Sequence, residues 1–537
     1  MKYNKIKIFF NYFIIFISAF LIFATFWIIN TYNVDITIDA IIFHLTMPLL
    51  GVNTIFYKTF FIYVILPSIF VLICSICFFI PTIIVCIIVS ILIAIFGFDG
   101  ILGMFKAIKI VYDEFFSLSN NFIFLHLKTF AIFILSLGIL IYLSYKISPH
   151  NKKIKHYYPF VFCVFVVFSV NSYFHIYSFI FREYSLLYEQ DYKIPRDLTQ
   201  TSKPRNLILI LAESMESSYW GGGAEKENLI PNLYNLALKN IHFSNNNNFG
   251  GIYQVKNTSY TIAGTISYLC GVPLNIPISA NVFFKDKYIN REDFLPNLTC
   301  ISDILKQNHY NQKIFVGYES DFAGSKNFFN THNIDILDRK DFEKYGEIQN
   351  GFWGIKDSLI FHFAKQYLQD YKSNKPFALY LPTVDTHSPD GFVDKEYCGN
   401  IDKNLINAIK CSDKIISDFI SWAKTQDFYK NTTIIVLGDH LSSFSYQNEN
   451  KNIYNVFINA DFSTTPKKDL LKNRALTHFD ITTLILDSIG FRVESFGLGR
   501  NPFYSKTLLE EYGIDELNKM LALDSKIYES FYQSSTR

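Results

Sequence analysis

Charge of one sign is what this 537-residue sequence lacks: 49 Lys and Arg stand against 47 Asp and Glu, a formal net charge of +2. Without a basic excess, nothing argues for a nucleic-acid partner. No internal repeat is present, and the one low-complexity patch, "NNNN" at 245–248, is read as a loop. No small-residue cleavage site follows the first apolar stretch. That stretch is therefore expected to stay as an anchor and not to be removed as a signal peptide.

What the sequence has in excess is apolar and aromatic side chains: half of its residues are hydrophobic, with 55 Phe and 35 Tyr. They are unevenly spread. Up to about Phe181 the chain is dominated by Phe, Ile, Leu and Val, and beyond it the charged, Asn and Gly content of a soluble domain takes over. Five stretches, near 8–30, 59–80, 81–98, 128–147 and 158–180, approach or reach the roughly 20 apolar residues a membrane span requires. Five spans are expected, against four or six, the plainer reading being that one stretch is a buried or re-entrant helix. Lys2, Lys5 and Lys7 precede the first stretch, and Lys146, Lys152, Lys153 and Lys155 lie between the fourth and fifth. Positive loops stay in the cytoplasm. An even number of spans between the clusters puts both on that side, so the fifth span delivers everything after about residue 181 to the outside.

Four of the eight cysteines, Cys74, Cys77, Cys86 and Cys163, fall in the apolar stretches, where a thiol acts as a small hydrophobe. Cys270, Cys300, Cys398 and Cys411 fall in the outer part, and an even number in an oxidising compartment suggests disulfides. Pairing of sequence neighbours, Cys270 with Cys300 and Cys398 with Cys411, is the expectation among three possible connectivities.

The expected organisation is a transmembrane domain over 1–181, a juxtamembrane helix fraying into a linker over 182–204, a globular outer domain over 205–515 and a tail over 516–537. Within the outer domain, short apolar runs end in polar turns: "NLILILAES" (206–214), "KIFVGY" (313–318), "PFALYLPTVDTH" (376–387) and "NTTIIVLGDH" (431–440). Runs of this kind suit strands of a parallel sheet buried on both faces. Helical candidates such as "IPNLYNLALKN" and "INAIKCSDKIISDFISWAKTQ" lie between them. The alternation points to an α/β layered domain with a mostly parallel central sheet, behind an N-terminal α-helical membrane domain.

Functional groups of an open parallel sheet collect at the carboxyl ends of its strands. Glu213 ends the first run, Asp385 and His387 the third, and Asp439 with His440 the fourth. Each alone reads as an ordinary polar strand end; three together are harder to dismiss. Glu, Asp, His and a hydroxyl make a plausible nitrogen/oxygen site for a divalent ion such as Zn²⁺ or Mn²⁺. The hydroxyl has a candidate source in "KNTSYTIAGTISYLCG" (256–271), whose "TIAGTISYL" could open a helix. A hydroxyl at a helix N-terminus would face an anionic phosphate held by the free N–H groups. An ordinary Thr or Ser helix cap is the plainer reading of that stretch taken alone.

The motifs "LAESMES", "YTIAGTISYLCGVPL", "DFAGSKNFF", "TVDTHSPDGF", "VLGDHLSS" and "FGLGRNPF" resemble those of sulfatase-like, alkaline-phosphatase-fold transferases of bacterial envelopes. That family includes lipoteichoic acid synthases, lipid A phosphoethanolamine transferases and the enzymes that add phosphoglycerol to membrane-derived periplasmic glucans, the last being the nearest likeness. The resemblance implies a metal, Mn or Zn with Mg as a further possibility, held by Glu213, Asp439, His440 and the oxygen of a Thr nucleophile. Thr261, with Gly264 three residues on, fits that nucleophile, and Thr258 is the reserve. His387 matches a histidine that binds the substrate phosphate or protonates the leaving group. Phe322 and Lys326 lie where relatives contact the head group, although the Arg/Trp pair of some relatives is absent, and His478 takes a supporting place in substrate binding. The four outer cysteines also match the family's positions.

The resemblance implies transfer of phosphoglycerol from phosphatidylglycerol to an envelope glycan by an enzyme of the inner membrane whose catalytic domain is periplasmic. The same chemistry with phosphatidylethanolamine, on lipid A or another glycan, is the rival, alongside a hydrolase using water and a non-catalytic envelope protein. A sulfate-ester hydrolase would need Cys or Ser in a Cys-x-Pro-x-Arg setting, and no cysteine here has it.

Overall fold

The computed structural model describes residues 184–195, 198–200, 203–221, 227–275, 293–343, 354–388, 391–442 and 451–533, with 13, 16, 17, 20, 65, 68 and 69. Almost all of the five expected spans lies outside the described residues. Among the described residues no helix is long and apolar enough to cross a membrane. The chain divides into two compact units, one of Met1–Val34 with Thr54–Phe179 and one of Asp35–Asn53 with Ile180–Arg537. The second contains the sheet and everything discussed below.

Six strands form that sheet: β1 (Asn206–Ala212), β2 (Asn311–Phe315), β3 (Asp335–Leu337), β4 (Phe377–Pro382), β5 (Thr432–Gly438) and β6 (Asn455–Ile458). Their spatial order is β3-β2-β4-β1-β5-β6. All neighbours are parallel except β5 and β6. In register, Leu209 of β1 lies opposite Tyr380 of β4 and Ile435 of β5. The four expected strands are present. β3 and β6, short and at the two edges, were not legible as apolar runs of their own.

Successive strand side chains point to opposite faces, and β1 shows why its run is continuously apolar. Leu207, Leu209 and Leu211 enter one core with Ile262, Ile266, Ile481 and Ile485. Ile208, Ile210 and Ala212 enter the other with Ile360, Ala364, Ile416 and Phe419. Helices therefore cover both faces: α3 (Thr261–Cys270) and α6 (His478–Asp487) one, and α2 (Pro231–Lys239), α4 (Asp357–Asp370) and α5 (Leu405–Lys424) the other.

The flanking segments pack more closely than the expected linker and tail. Among the described residues of the 182–204 region, only α1 (Leu187–Asp191) is helical. Its Leu187 and Tyr188 are buried, the Ser185 amide donates to Asp524 O at 2.8 Å, and Thr199–Gln200 pairs with Phe491–Arg492. The expected boundary at 515/516 falls inside α7 (Leu508–Ala522), and Leu517 and Leu521 join Tyr528 of α8 (Lys526–Ser530) in the core. Apolar residues spaced through these segments have core partners, which a boundary drawn on composition alone does not register.

Cys270 is joined to Cys300, and Cys398 to Cys411. The first bridge fastens the end of α3 to the residue before the helix Ile301–Gln307, and the second fastens Lys395–Cys398 to α5.

Candidate active site

The site is built at the carboxyl ends of β1 and β5. As β1 ends, the chain turns through Ser214, whose φ of 52° is an uncommon left-handed conformation for a residue with a side chain. The turn is held from both sides. The Glu213 amide donates to Thr383 Oγ1 at 2.9 Å, the Thr386 hydroxyl donates to Glu213 O at 2.5 Å, and the Ser214 amide donates to Asp439 Oδ1 at 2.7 Å. Asp439 follows β5, and its Oδ1 also accepts the His440 amide at 2.8 Å.

The side chains converge from there. Thr261, the first residue of α3, donates its hydroxyl to Glu213 Oε2 at 3.1 Å, and Ser214 Oγ donates to Glu213 Oε1 at 2.8 Å. His440 Nε2 lies 3.5 Å from Glu213 Oε1 and 3.5 Å from Asp439 Oδ2. Gly264 permits the approach of α3, since a Cβ there would come within 2.2 Å of Asp439 O. The small residue three positions after the threonine is thus a packing requirement of the helix against the Asp439 turn.

Three other hydroxyls of the 256–271 stretch have local partners. Thr258 donates to Val255 O at 2.7 Å, Thr265 to Thr261 O at 2.7 Å and Ser267 to Ala263 O at 2.7 Å. The latter two bonds are the back-bonding to i−4 carbonyls usual for hydroxyls within helices. Thr261, and not Thr258, meets Glu213. The start of α3 carries no side-chain cap, so its first-turn N–H groups are directed at the same corner.

Two buried carboxylates facing one imidazole demand positive charge. Burial and then the Glu213 charge push Asp439 up to about 7. Burial opposes the charge on His440, but Asp439 and Glu213 together hold its pKa above the usual value. Burial likewise opposes the charge on Glu213, yet His440, His387 and the Ser214 and Thr261 hydroxyls keep it below the usual range.

The residues fit a divalent cation. Donor atoms of Glu213, Asp439 and His440 all lie within 4.8 Å of one another, and the buried Asp439 Oδ2 has no hydrogen-bond partner. His440 Nδ1 lies 2.9 Å from Leu441 O. A carbonyl only accepts, so Nδ1 carries the proton and Nε2, the nitrogen facing the carboxylates, is left to ligate.

His387 acts on Glu213 electrostatically, and its Nδ1 is 2.7 Å from Ser388 O, which leaves Nε2 as the basic nitrogen. His478 is fully buried, with Nε2 2.8 Å from Asp439 O and its ring 4.5 Å from that of Tyr268. Burial lowers its pKa to about 4, so the neutral ring donates to that carbonyl. His478 thus supports the Asp439 turn from within the core. Phe322 packs on Tyr318 with ring centroids 6.2 Å apart. Lys326 is half exposed and stands 3.9 Å from Asp321.

Asp385, a strand-end acid on the sequence, does not join the site. Its Oδ2 accepts the Asp357 amide at 2.9 Å, while Asp357 accepts the Val384 and Asp385 amides at 2.8 and 3.0 Å. This reciprocal clasp anchors the loop carrying Thr383, Thr386 and His387 to the start of α4. Tyr318 is the neighbour that sequence reasoning passed over. Burial, with the Glu213 and Asp439 charges adding, pushes its hydroxyl up to about 12. Its signal was present, since it ends the second apolar run just as Glu213 ends the first.

A sulfatase family model matches residues 205–487, just over half of the 537-residue chain. Phosphoglycerol transferase I of Citrobacter koseri is 30% identical over 336 residues, covering 60% of this chain and 42% of that protein. The protein of the same name from Salmonella choleraesuis is 30% identical over 339 residues with the same coverage, 60% and 42%. The chain thus matches under half the length of these curated relatives. Among solved structures, the lipoteichoic acid synthase LtaP from Listeria monocytogenes aligns with a TM-score of 0.45 and 17% identity, over 60% of this chain and 81% of that one. A Streptococcus pyogenes phosphoglycerol transferase in complex with sn-glycerol-1-phosphate aligns with a TM-score of 0.40 and 15% identity, over 64% and 91%.

Proposed function

We propose, from the premise that the chain belongs to the sulfatase family, that it is a membrane-anchored transferase moving phosphoglycerol from phosphatidylglycerol to an envelope glycan. The observation that carries this reading is the 3.1 Å bond from Thr261 Oγ1 to Glu213 at the uncapped start of α3, beside Asp439 and His440. The name of the relatives over the matched region favours phosphoglycerol as the group transferred.

Glu213, Asp439, His440 and Thr261 would hold a divalent cation such as Mn²⁺ or Zn²⁺, which would lower the pKa of the threonine hydroxyl. Thr261 Oγ forms a bond to the head-group phosphorus, and its hydroxyl proton passes to Glu213 Oε2, which already accepts it in a hydrogen bond. The bond from phosphorus to the diacylglycerol oxygen breaks. His387 gives that leaving oxygen its proton. The phosphoglyceryl group now sits on Thr261, its oxygens facing the first-turn N–H groups of α3. An acceptor hydroxyl then attacks phosphorus, the Thr261 Oγ–P bond breaks with the proton returning from Glu213 to Oγ, and His387 takes up the acceptor's proton. Phe322 lies next to Tyr318 at the edge of the site and serves the head group, with Lys326 further out. Delivery of 182–537 to the outer face of the cytoplasmic membrane follows from the lysine distribution before it.

Mass spectrometry of the full chain incubated with phosphatidylglycerol or phosphatidylethanolamine tests this. A phosphoglycerol adduct on the 256–271 peptide, lost in Thr261→Ala, is expected. A phosphoethanolamine adduct instead would reassign the donor, and no adduct with either lipid would overturn covalent transfer. Product formed without any glycan present would make the chain a hydrolase.

A further inference from the structure

Five large hydrophobic side chains stand exposed among the described residues beyond 183: Tyr184 at 52%, Leu186 at 63%, Ile194 at 44%, Ile514 at 37% and Leu238 at 54%. Single exposed hydrophobics are normal on a protein surface. Four of these five, however, belong to one corner. Tyr184 and Leu186 lead into α1, and the Tyr184 hydroxyl donates to Glu529 of α8 at 3.2 Å. At the other end of α1, Arg500 joins Asp191 to Glu511, and the Tyr512 hydroxyl donates to Asp191 at 3.4 Å. Ile514 follows Tyr512 by two residues, and Ile194 follows Lys193, whose amide donates to Gly497 O at 2.8 Å. Leu238, on α2, lies apart on the other face of the sheet.

We infer that this corner, formed by 184–195 and the start of α7, rests on the bilayer surface and presents the domain to its lipid donor. The inference rests on the proposed reading that the donor is a phospholipid. The apolar run 158–180 ends only a few residues before Tyr184. At no more than ~3.6 Å per residue, Tyr184 lies within ~15 Å of the end of that run. Charge at the corner is mixed, with Glu189, Asp515 and Glu516 exposed there, so the apolar side chains carry the contact. Lys193 and Lys526 are exposed beside these side chains, the Lys526 ammonium lying 5.7 Å from the centre of the Tyr184 ring. Tyrosine and lysine together are the side chains found at membrane–water interfaces. Arg500 meanwhile neutralises Asp191 and Glu511, two acids that would repel anionic lipid.

The corner is also wired to the nucleophile turn. Asn518, one helical turn after Ile514 on α7, accepts the Lys256 amide at 2.8 Å, and Thr261 follows Lys256 by five residues. A surface seated at the lipid headgroups therefore holds the segment that enters the site.

The test uses the full wild-type chain in phosphatidylcholine–phosphatidylglycerol vesicles carrying a phosphatidylcholine with a diazirine near its glycerol. After irradiation, peptides within 184–195 and 508–522 should carry lipid about tenfold more than the peptide containing Leu238. Equal labelling of all three, or protein–protein cross-links at this corner in place of lipid adducts, would overturn the inference. In a second arm, the variant with Leu186→Ser, Ile194→Ser and Ile514→Ser should lose several-fold turnover on vesicle-embedded donor and keep turnover on a dissolved short-chain donor. Equal loss on both would count against it. Labelling does not depend on transfer, so a chain that labels as expected but transfers nothing would refute the proposed function alone.

Discussion

Two pairs of buried acids, one at the ends of β1 and β5 and one joining the end of β4 to the start of α4, do opposite things. Glu213 and Asp439 face an imidazole and a hydroxyl, and one oxygen, Asp439 Oδ2, has no hydrogen-bond partner. Asp357 and Asp385 face backbone amides, each accepting from the segment that carries the other. Burial raises the pKa of both members of the second pair, Asp357 to about 7. In the first pair Asp439 is raised, while Glu213 is held low by the two histidines and two hydroxyls around it. One oxygen of each pair, Asp439 Oδ2 and Asp385 Oδ1, has no hydrogen-bond partner. The difference is therefore in what else faces the carboxylates: backbone amides make a brace, whereas an imidazole and a hydroxyl converging on one point can receive a cation.

The largest expected effect breaks the first pair's chemistry without touching the second. Thr261→Ala should lower transfer by on the order of 10³-fold or more. Its melting temperature should stay near that of the wild type, because the change removes one hydroxyl from the edge of the site. Transfer assays beside thermal melts check both halves, and near-normal transfer would move the nucleophile elsewhere.

The converse substitution, Asp357→Ala, strands the Val384 and Asp385 amides, while the backbone amide of residue 357 still reaches Asp385 Oδ2. A loss of about 2–4 kcal/mol in denaturant unfolding is expected, with transfer lowered through the displaced 383–387 loop.

Metal binding separates the pairs most cleanly. Mn²⁺ or Zn²⁺ at about 100-fold excess over its dissociation constant should stabilise the metal-free chain by about 2.7 kcal/mol. Asp439→Asn and Glu213→Gln should abolish that shift in calorimetry, and Asp357→Asn should retain it. A shift that survives in Asp439→Asn would sink the assignment of the site.

A smaller effect comes from protons. The folded-state pKa of Asp357 is raised to about 7 from the usual 3.8, so between those values the folded chain keeps a proton that the unfolded chain releases. Stability from this group is therefore full below about pH 4 and falls as pH rises toward about 7. Melting temperatures measured across about pH 4 to 8 should show a shallower decline for Asp357→Asn than for the wild type.

Smallest of all, Thr258→Ala removes only the bond to Val255 O. It should cost about 1 kcal/mol of stability and leave the rate of transfer nearly unchanged, which sharpens the contrast with Thr261.

Much of this was legible beforehand because it is local. Continuous apolar runs mark strands buried on two faces, and β1, β2, β4 and β5 follow them within a few residues. The residues of the metal-type cluster were legible because strand ends of a parallel sheet must meet on one side. The edge strands β3 and β6 were not, because three or four residues make too short a pattern. Nor was the packing of 184–195 and 516–533, whose apolar residues acquire meaning only from partners hundreds of residues away.

By itself the sequence determined the layered α/β class, the family and the set of residues able to do chemistry, since periodicity and motif are properties of neighbours in the chain. Only the tertiary structure decided among them. It placed the Thr261 hydroxyl against Glu213 and that of Thr258 against its own loop. It sent Asp385 to a brace and buried His478 beneath the Asp439 turn. Whether a polar group acts or supports depends on which atoms face it across the fold, and that is settled by how α3, α4 and α6 pack on the sheet.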